Sequence, residues 1–316
     1  MGILGVGHMG QYHLNVVSSM NTHEMVGIYE ENQDRSLELA AKFETKSFSS
    51  IEDLLENVDA VTIAVPTFLH YQIAKKALEY DCHVLLEKPM TQKLEEAIEL
   101  QKLAKDKKKI LQVGHVERFN GAVMELQKIV TDPYFIEARR FAPYNPRIKD
   151  SGVILDMLIH DLDIVLNLVT SPVVNFSAMG RFIKGPDYED IASIQICFEN
   201  ESVATLIGSR VSQNKERIMN ITQDKSYILL NYANQDIEIH RQASTAFLTT
   251  REEIKYSQES FVEKLYVHKD NPLKSQHQHF YECITENAIP LVPEEKDIET
   301  LKIALKSIEQ IKANRK

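Results

Sequence analysis

The feature that most constrains the fold is a glycine-rich run near the N-terminus, Gly5-Val6-Gly7-His8-Met9-Gly10. It fits the pattern G-x-G-x-x-G. In that pattern the first glycine turns the chain from strand to helix, the second admits a pyrophosphate against bare backbone, and the third lets helix and strand pack closely. The apolar pair Ile3-Leu4 precedes the run, and a helix-compatible stretch, 11–20, follows it. A second apolar segment, 25–29, ends at Glu30, so the region is typical of a βαβ unit that binds a dinucleotide.

Glu30 stands at the end of the second predicted strand, where a carboxylate accepts hydrogen bonds from the adenosine ribose diol. The same carboxylate repels a 2′-phosphate, so the sequence favours NAD over NADP. The alternative is a solvated glutamate at a strand end, beside Glu31. We expect the cofactor to contact Gly5, Gly7, His8, Met9, Gly10 and Glu30.

The composition excludes several other classes of protein. With 316 residues, 43% of them hydrophobic, the chain can form two domains with a sizeable core. A formal charge of −10 argues against a nucleic-acid partner, because phosphate binding needs clustered lysine and arginine. No apolar run reaches the ~20 residues of a membrane span, and the N-terminus has no secretory pattern. We therefore expect neither nucleic acid nor membrane as a partner.

The cysteines and histidines suggest no metal site. Cys82, Cys197 and Cys283 are far apart and in no C-x-x-C spacing, which suits a reducing compartment. The sequence therefore predicts a cytoplasmic protein in which all three thiols are small buried apolar residues. His277 and His279 are two apart in a predicted helix and point to different faces, so no metal is expected.

The order of elements predicts two domains. Over 1–118, apolar segments alternate with helical patterns, which is typical of a doubly wound, parallel Rossmann sheet. Over 119–316 the pattern predicts an α+β domain with a large open, mostly antiparallel sheet. Its predicted elements are a helix over 152–169, strands over 173–182, 192–198, 202–211, 217–222, 227–231 and 237–240, and closing helices over 274–287 and 297–311.

Glu87-Lys88-Pro89 directly follows the predicted strand His83-Val84-Leu85-Leu86 and so stands at its carboxyl end, where ligands bind in such sheets. A lysine there can donate to a substrate hydroxyl or carbonyl oxygen, and partial desolvation helps it to relay a proton. The alternative is a plain surface turn.

Asp156 and His160 are four apart in the helix predicted over 152–169 and therefore share one face. An aspartate so placed can hold the imidazole in one tautomer and stabilise its protonated form, as a general base needs. The alternative is a structural hydrogen-bonded pair, since Asp161 and Asp163 show that carboxylates are plentiful here.

Four motifs in this order resemble the signatures of the glucose-fructose oxidoreductase, inositol dehydrogenase and rhizopine catabolism (Gfo/Idh/MocA) family. They are Gly5 to Gly10, Val65-Pro66-Thr67 followed by His70, Glu87-Lys88-Pro89, and Gly152 with Asp156 and His160. The resemblance implies that Lys88, Asp156 and His160 surround the oxidised carbon. It also implies that Pro66, Thr67, His70, Glu87 and Lys88 contact the cofactor. The open sheet of the family commonly forms an oligomer interface, which implies a homodimer or homotetramer.

The segment from Val113 to Asn120 resembles one found in family members that oxidise amino-sugar nucleotides, notably at the 3-hydroxyl of UDP-N-acetylglucosamine. On that basis Lys88, Arg118, Asn120 and His160 are expected to bind the substrate, although Arg118 and Asn120 could equally cap the following helix. The chain departs from the expected pattern at Gly121, where a proline usually follows Phe-Asn.

The sequence therefore predicts an NAD-dependent dehydrogenase that removes hydride from a secondary hydroxyl of a sugar or sugar nucleotide, with UDP-N-acetylglucosamine as the preferred substrate. A dehydrogenase or reductase for an inositol, a deoxysugar or an imine stays open. So does a non-catalytic NAD-binding redox sensor, which the combination of Lys88, Asp156 and His160 disfavours because a sensor needs no base.

Overall fold

The computed structural model describes residues 1–146, 150–249, 254–291 and 293–315, which form two compact units. The first unit comprises Met1–Phe119 and Asp270–Leu305, and the second comprises Asn120–Lys269 and Lys306–Lys316. The sequence-based division assigned everything after 118 to the second domain. The segment Asp270–Leu305 joins the first unit through helix α8, Pro272–Thr285. Leu273 of α8 packs on Val16 of helix α1, His8–Ser18, and on Met20 just after that helix.

The first unit contains a six-stranded sheet in which every neighbouring pair is parallel. Its strands are β1 Gly2–Leu4, β2 Gly27–Tyr29, β3 Lys46–Ser47, β4 Ala60–Ile63, β5 His83–Leu86 and β6 Leu111–Val113, in the order β3-β2-β1-β4-β5-β6. Besides α1 and α8, its helices are α2 Gln33–Lys42, α3 Ile51–Leu55, α4 Thr67–Glu79, α5 Leu94–Lys107 and a 3-10 turn at Val116–Phe119. This strand order is the Rossmann order, so the predicted fold of the unit is confirmed.

The strands of this sheet are short but almost wholly buried. Each residue of β1, β4 and β6 is buried, because helices cover both faces of a parallel sheet. On one face Ile3 and Ile28 pack against Leu14 and Val17 of α1. This core fixes the direction in which β1 delivers the glycine-rich loop to α1.

The second unit contains an eight-stranded sheet in the order β14-β13-β12-β11-β7-β10-β9-β8. Its strands are β7 Pro133–Phe141, β8 Val173–Arg181, β9 Ile191–Phe198, β10 Val203–Ser209, β11 Glu216–Gln223, β12 Ser226–Asn231, β13 Asp236–Thr249 and β14 Ile254–Leu265. All pairs are antiparallel except β7 with β10, which confirms the mostly antiparallel sheet. Its helices are α6 Gly121–Ile129 and α7 Ile159–Leu168, with a π-helical turn at Ile154–Leu158, and α9, Glu294–Ala313, passes from the first unit into the second. Strands β7 and β14 are absent from the sequence-based prediction.

Side chains of the second sheet alternate between a buried and a more exposed face. In β9, Ile194, Ile196 and Phe198 are buried, whereas Gln195 and Cys197 are exposed. The expectation that all three cysteines are buried is therefore wrong for Cys197, which follows the period of two along its strand. None of the helices in the described ranges is long and apolar enough to cross a membrane.

Candidate functional site

The glycine-rich loop joins β1 to α1 and needs glycine at two positions. Gly5 has φ +83°, and a Cβ there would lie 2.8 Å from Cγ1 of Val65. A Cβ at Gly10 would lie 2.0 Å from the carbonyl oxygen of Gly5. Around Gly7, by contrast, a Cβ would meet no described atom within 4 Å. The loop is thus tight at both ends and open in the middle, as the pattern predicts for a diphosphate cradle.

The open side of this loop meets the N-terminus of α1. Gly7 is the N-cap, with extended backbone, and no side chain caps the helix. The first backbone N–H groups of a helix have no partner within the helix, and together with its dipole they attract an anion. His8 and Met9 are exposed at this helix start, as a cofactor contact requires. The residues present therefore fit the diphosphate of a dinucleotide.

Glu30 lies beside the loop, in the same cavity of about 520 Å³. Its Oε2 accepts a hydrogen bond from the backbone N–H of Val6 at 2.8 Å. A carboxylate has two acceptor oxygens, so this bond fixes its orientation without using its whole capacity. Ile51, Leu69 and Ile73 add apolar side chains to the lining of this cavity. Arg35 and Lys76 add two cations. The Lys76 ammonium pairs with Glu52, which raises the lysine pKa chiefly through their hydrogen bond.

Glu87 and Lys88 follow the last residue of β5 directly. The N–H of Glu87 bonds to the carbonyl of Ile63 at 3.0 Å and so continues the ladder with β4. Lys88 is half-buried, and its backbone N–H donates to Oε2 of Glu87 at 3.2 Å. The peptide bond between Lys88 and Pro89 is cis. The structure therefore places Lys88 at the carboxyl end of an interior parallel strand, where the sequence predicts it.

The Glu87 side chain turns into the unit and meets a histidine that sequence reasoning missed. Oε1 of Glu87 lies 2.8 Å from Nε2 of His13 on α1, and the two residues are 7% and 0% exposed. Burial alone would raise the Glu87 pKa. The hydrogen bond from His13 and the charges of His13, Lys88 and His70 outweigh burial and lower it. A direct contact of Glu87 with the cofactor stays a prediction, but its ionised form is held by His13.

His70 ties two of the sequence motifs together. It is buried in α4, where Pro66 is the N-cap and Thr67 the first helical residue. Its Nδ1 lies 2.8 Å from the carbonyl oxygen of Pro89, and its Nε2 lies 3.0 Å from that of Val65. Burial lowers the His70 pKa, while the two carbonyls and Glu87 oppose the shift. The ring thus links the backbone directly after Lys88 to the loop that begins α4.

In the second unit, Asp156 and His160 lie where a π-helical turn joins α7. Asp156 is in the π-turn and His160 is the second residue of α7, and both are half-buried. The predicted continuous α-helix is therefore interrupted at the aspartate. Single π-turns inside helices occur frequently at functional sites.

The start of the π-helical turn explains why Gly152 accompanies Asp156 and His160 in the motif. A Cβ on Gly152 would lie 2.1 Å from Oε1 of Glu189, and the same oxygen accepts the N–H of Ile154 at 3.0 Å. Burial raises the pKa of Glu189, while that backbone N–H opposes the shift. Glu189 thus caps the turn in place of a helix N-cap residue, and only glycine leaves it room.

An ion pair holds α7 against the second sheet. Arg140 on β7 makes two bonds to Asp161, with Nε to Oδ2 at 2.7 Å and Nη2 to Oδ1 at 2.9 Å. The guanidinium carbon also lies 4.9 Å from the ring centre of Tyr232. Both charged groups are buried, so each depends on the other. This pair fixes the residue next to His160 and could not be identified from the sequence.

The structure gives Arg118 and Asn120 internal partners. Arg118 is fully buried, and its Nη1 donates to the carbonyl of Leu291 at 3.3 Å within the first unit. Asn120 is the N-cap of α6, with Oδ1 accepting the N–H of Ala122 at 3.1 Å. This placement favours the capping role that the sequence left open for Asn120 and an internal role for Arg118. Their predicted contacts with substrate stay predictions.

Comparison with known families covers most of the chain. Residues 1–115 match the model described as oxidoreductase family, NAD-binding Rossmann fold, and residues 121–235 match the GFO/IDH/MocA C-terminal domain. Both matched segments carry motifs that the structure places at a strand end, a helix start or the π-turn.

Individual proteins resemble the chain over similar spans. UDP-N-acetylglucosamine 3-dehydrogenase from Acidithiobacillus ferrooxidans is 35% identical over 77% of this chain and 78% of its own length. The solved structure of that enzyme from the same organism covers 99% of this chain and 97% of its own, at TM-score 0.89 and 30% identity. The scyllo-inositol 2-dehydrogenase (NAD(+)) of Bacillus subtilis is 29% identical over 66% of this chain and 67% of its own.

Proposed function

The chain belongs to the Gfo/Idh/MocA family of NAD-binding oxidoreductases, and we propose that it oxidises the 3-hydroxyl of UDP-N-acetylglucosamine with NAD. Family membership confirms the predicted nicotinamide-dependent dehydrogenase acting on a CH–OH group. The observation that carries the substrate is the similarity to the Acidithiobacillus ferrooxidans enzyme, which extends through both domain models and nearly the whole fold.

NAD is preferred to NADP because of Glu30. Its carboxylate lies in the cavity of the glycine-rich loop and is oriented by the N–H of Val6. A diol can donate two hydrogen bonds to such a carboxylate, whereas a 2′-phosphate would meet it with like charge.

The reaction divides between the cofactor and three side chains. Bound NAD supplies the hydride acceptor, and the protein supplies alignment and proton transfer. In the proposed reaction His160 accepts the hydroxyl proton, and Asp156 orients the imidazole and stabilises its charged form. Lys88 donates a hydrogen bond to the same oxygen while it becomes a ketone.

The test is NADH formation at 340 nm with UDP-N-acetylglucosamine, UDP-glucose, free N-acetylglucosamine and myo-inositol, each with NAD and with NADP. We expect a response to UDP-N-acetylglucosamine with NAD and a 3-keto product by NMR. A response confined to an inositol or a free sugar would refute the substrate, and silence across the panel would favour the redox sensor.

Substitutions test the assigned roles. Lys88→Ala and His160→Ala should each lower kcat roughly 10²-fold or more, the range of general acid–base groups, while the Kd for NADH stays near the wild-type value. Lys93→Ala and His240→Ala are matched controls, because the Lys93 ammonium pairs with Glu96 near the same loop and His240 lies on β13. Normal turnover in either active-site variant would refute its role.

Two further expectations belong to this proposal. The separated cysteines support a cytoplasmic location, and the more exposed face of the second sheet supports assembly into a homodimer or homotetramer. Light scattering on the purified protein tests the assembly, and a monomeric mass at micromolar concentration would refute it.

A further inference from the structure

Glu189 binds two consecutive backbone N–H groups where the π-helical turn begins. Oε1 of its side chain accepts the N–H of Ile154 at 3.0 Å, and its own backbone carbonyl accepts the N–H of Val153 at 2.9 Å. The first N–H groups of a helix have no partner within the helix, so both bonds satisfy donors that the turn leaves open. Glu189 is only 1% exposed, and the reaction proposed above assigns no role to its carboxylate.

The backbone of the turn links this cap to both members of the proposed catalytic pair. The carbonyl of Ile154 accepts the N–H of Ile159, five residues later, which is the hydrogen bond of a π-turn. Ile159 directly precedes His160. The carbonyl of Gly152 accepts the N–H of Asp156 at 3.0 Å. Fixing the start of the turn therefore fixes where the aspartate lies relative to the histidine.

The π-turn determines how these two side chains face each other. It holds one residue more than an α-turn, and each residue of an α-helix advances the chain by roughly 100° around the axis. If the turn relaxed to a regular α-helix, the residues before it would rotate by about one position relative to those after it. Asp156 lies inside the turn and His160 just beyond it, so the carboxylate would swing relative to the imidazole.

A buried ion pair holds Glu189 itself in place. Oδ1 of Asp190, the next residue, accepts Nε of Arg210 at 2.7 Å, and both residues are buried. Nη1 of the same arginine donates to the carbonyl of Ser151 at 2.5 Å. Asp190 directly precedes β9 and Arg210 directly follows β10, and the two strands pair at this end. The start of the turn is therefore clamped to the second sheet from two sides.

We propose that Glu189 is a positioning residue for the reaction. By capping the π-turn it holds Asp156 in the orientation in which its carboxylate stabilises the protonated form of His160. The inference rests on the proposed function, which gives the hydroxyl proton to His160, but it does not depend on which sugar is oxidised.

A cap that served stability alone would not need this carboxylate. A local N-cap side chain satisfies a helix start, as Asn120 does for α6 and Asn271 does for α8. Glu189 instead comes from 35 residues further along the chain than Ile154, and its burial disfavours a charge. It also leaves no room for a Cβ at Gly152. These costs are explained if the π-turn itself, rather than an ordinary helix start, is what the carboxylate preserves.

Two substitutions at position 189 separate positioning from charge. Glu189→Gln loses the charge but keeps an oxygen that can accept the N–H of Ile154, whereas Glu189→Ala loses both. Ile196→Ala, on the buried face of β9, is the matched control, because it weakens the same unit without touching the turn. The charges that face Glu189, Arg210 and Lys312, remain in all three variants.

With UDP-N-acetylglucosamine and NAD, Glu189→Ala should lower kcat about ten-fold or more, while KM and the Kd for NADH stay near wild-type values. A neighbouring carboxylate favours the charged form of an imidazole, so its displacement should move the acidic limb of the kcat profile to lower pH. Glu189→Gln should restore most of the rate and the wild-type profile, and Ile196→Ala should change only the unfolding temperature. A wild-type pH profile in Glu189→Ala, or the same shift in Glu189→Gln, would overturn the inference.

Titration of His160 measures the same geometry without a substrate. If the wild-type enzyme oxidises nothing in the sugar panel, the proposed function fails, and NMR titration of ¹⁵N-histidine-labelled protein still decides the positioning. The His160 signals, assigned by their loss in His160→Ala, should titrate at lower pH in Glu189→Ala than in the wild type, and at the wild-type pH in Glu189→Gln. Equal midpoints for His160 in the wild type and Glu189→Ala would show that the cap does not position the pair.

Discussion

A pair of glycine substitutions in the loop after β1 should separate cofactor binding from folding. Gly7→Ala adds a methyl group where no described atom lies within 4 Å, at a backbone conformation that alanine tolerates. We expect the unfolding temperature to change by only a few degrees, since such a substitution alters stability by about 1 kcal/mol at most. The methyl group would, however, occupy the place of the diphosphate.

The expected loss of affinity follows from the bonds that this methyl group displaces. A hydrogen bond to a charged group contributes about 1.5–3 kcal/mol, so losing one weakens NADH binding roughly 10- to 150-fold. Titration of NADH fluorescence measures this Kd. Wild-type affinity in Gly7→Ala would refute the placement of the diphosphate at the loop.

Gly10→Ala is the contrasting variant. Its Cβ would lie 2.0 Å from the carbonyl oxygen of Gly5, so the loop or the start of α1 must move. Forced repacking of this kind costs about 1–3 kcal/mol, or roughly 3–10 °C in unfolding temperature. Affinity and stability should therefore fall together, and an unchanged unfolding temperature would show that the contact is easily relieved.

Three further predictions follow from the first unit. Glu30→Ala should weaken NAD binding about 10- to 150-fold, because it removes the acceptor for the ribose diol. It should also raise the NADP-to-NAD ratio of kcat/KM, because it removes a charge that repels the 2′-phosphate. An unchanged ratio would favour a solvated Glu30. The lowered pKa of Glu87 means that its ionised form adds stability above pH 4.5, its ordinary value, which is lost as the pH falls through the lowered pKa. The difference in unfolding temperature between wild type and Glu87→Gln should accordingly narrow on acidification, and a constant difference would contradict the hydrogen bond between Glu87 and His13. Burial raises the pKa of the Cys82 thiol to about 11, so iodoacetamide at pH 8 should alkylate it only after urea is added, and mass spectrometry of its peptide checks this.

The parallel sheet could be predicted because its signal is local. The strands that end at Leu4, Ile63 and Leu86 are mostly apolar, and helical patterns separate them. The residues with chemistry follow at the strand ends, so Gly5 and Lys88 could be located by their position alone.

Elements that depend on distant partners could not be predicted. β7 carries Arg139 and Arg140 near its C-terminal end, and Asp161 neutralises the buried Arg140 there. β14 is a polar edge strand that pairs with β13 alone. Charged residues at such positions lower the strand signal of the sequence, although their partners stabilise them in the fold.

The same limit applies to the candidate site. The helical spacing of Asp156 and His160 could be seen in the sequence. The π-turn that contains Asp156, however, depends on Glu189, which lies more than 30 residues further along the chain. The only sign of His13 was a polar residue at an apolar position of α1, and its partner Glu87 is far along the sequence. Such long-range pairs leave no periodic pattern.

The discontinuous make-up of the first unit bears on how the protein is made. Asp270–Leu305 must return to residues that left the ribosome long before, because α8 supplies Leu273 to the end of α1. Until then the nascent N-terminal region leaves apolar surface of α1 exposed, a condition that invites aggregation or chaperone binding. A fragment ending near residue 118 lacks α8 and would leave that surface exposed permanently, so it is a poor substitute for the intact enzyme in cofactor-binding studies.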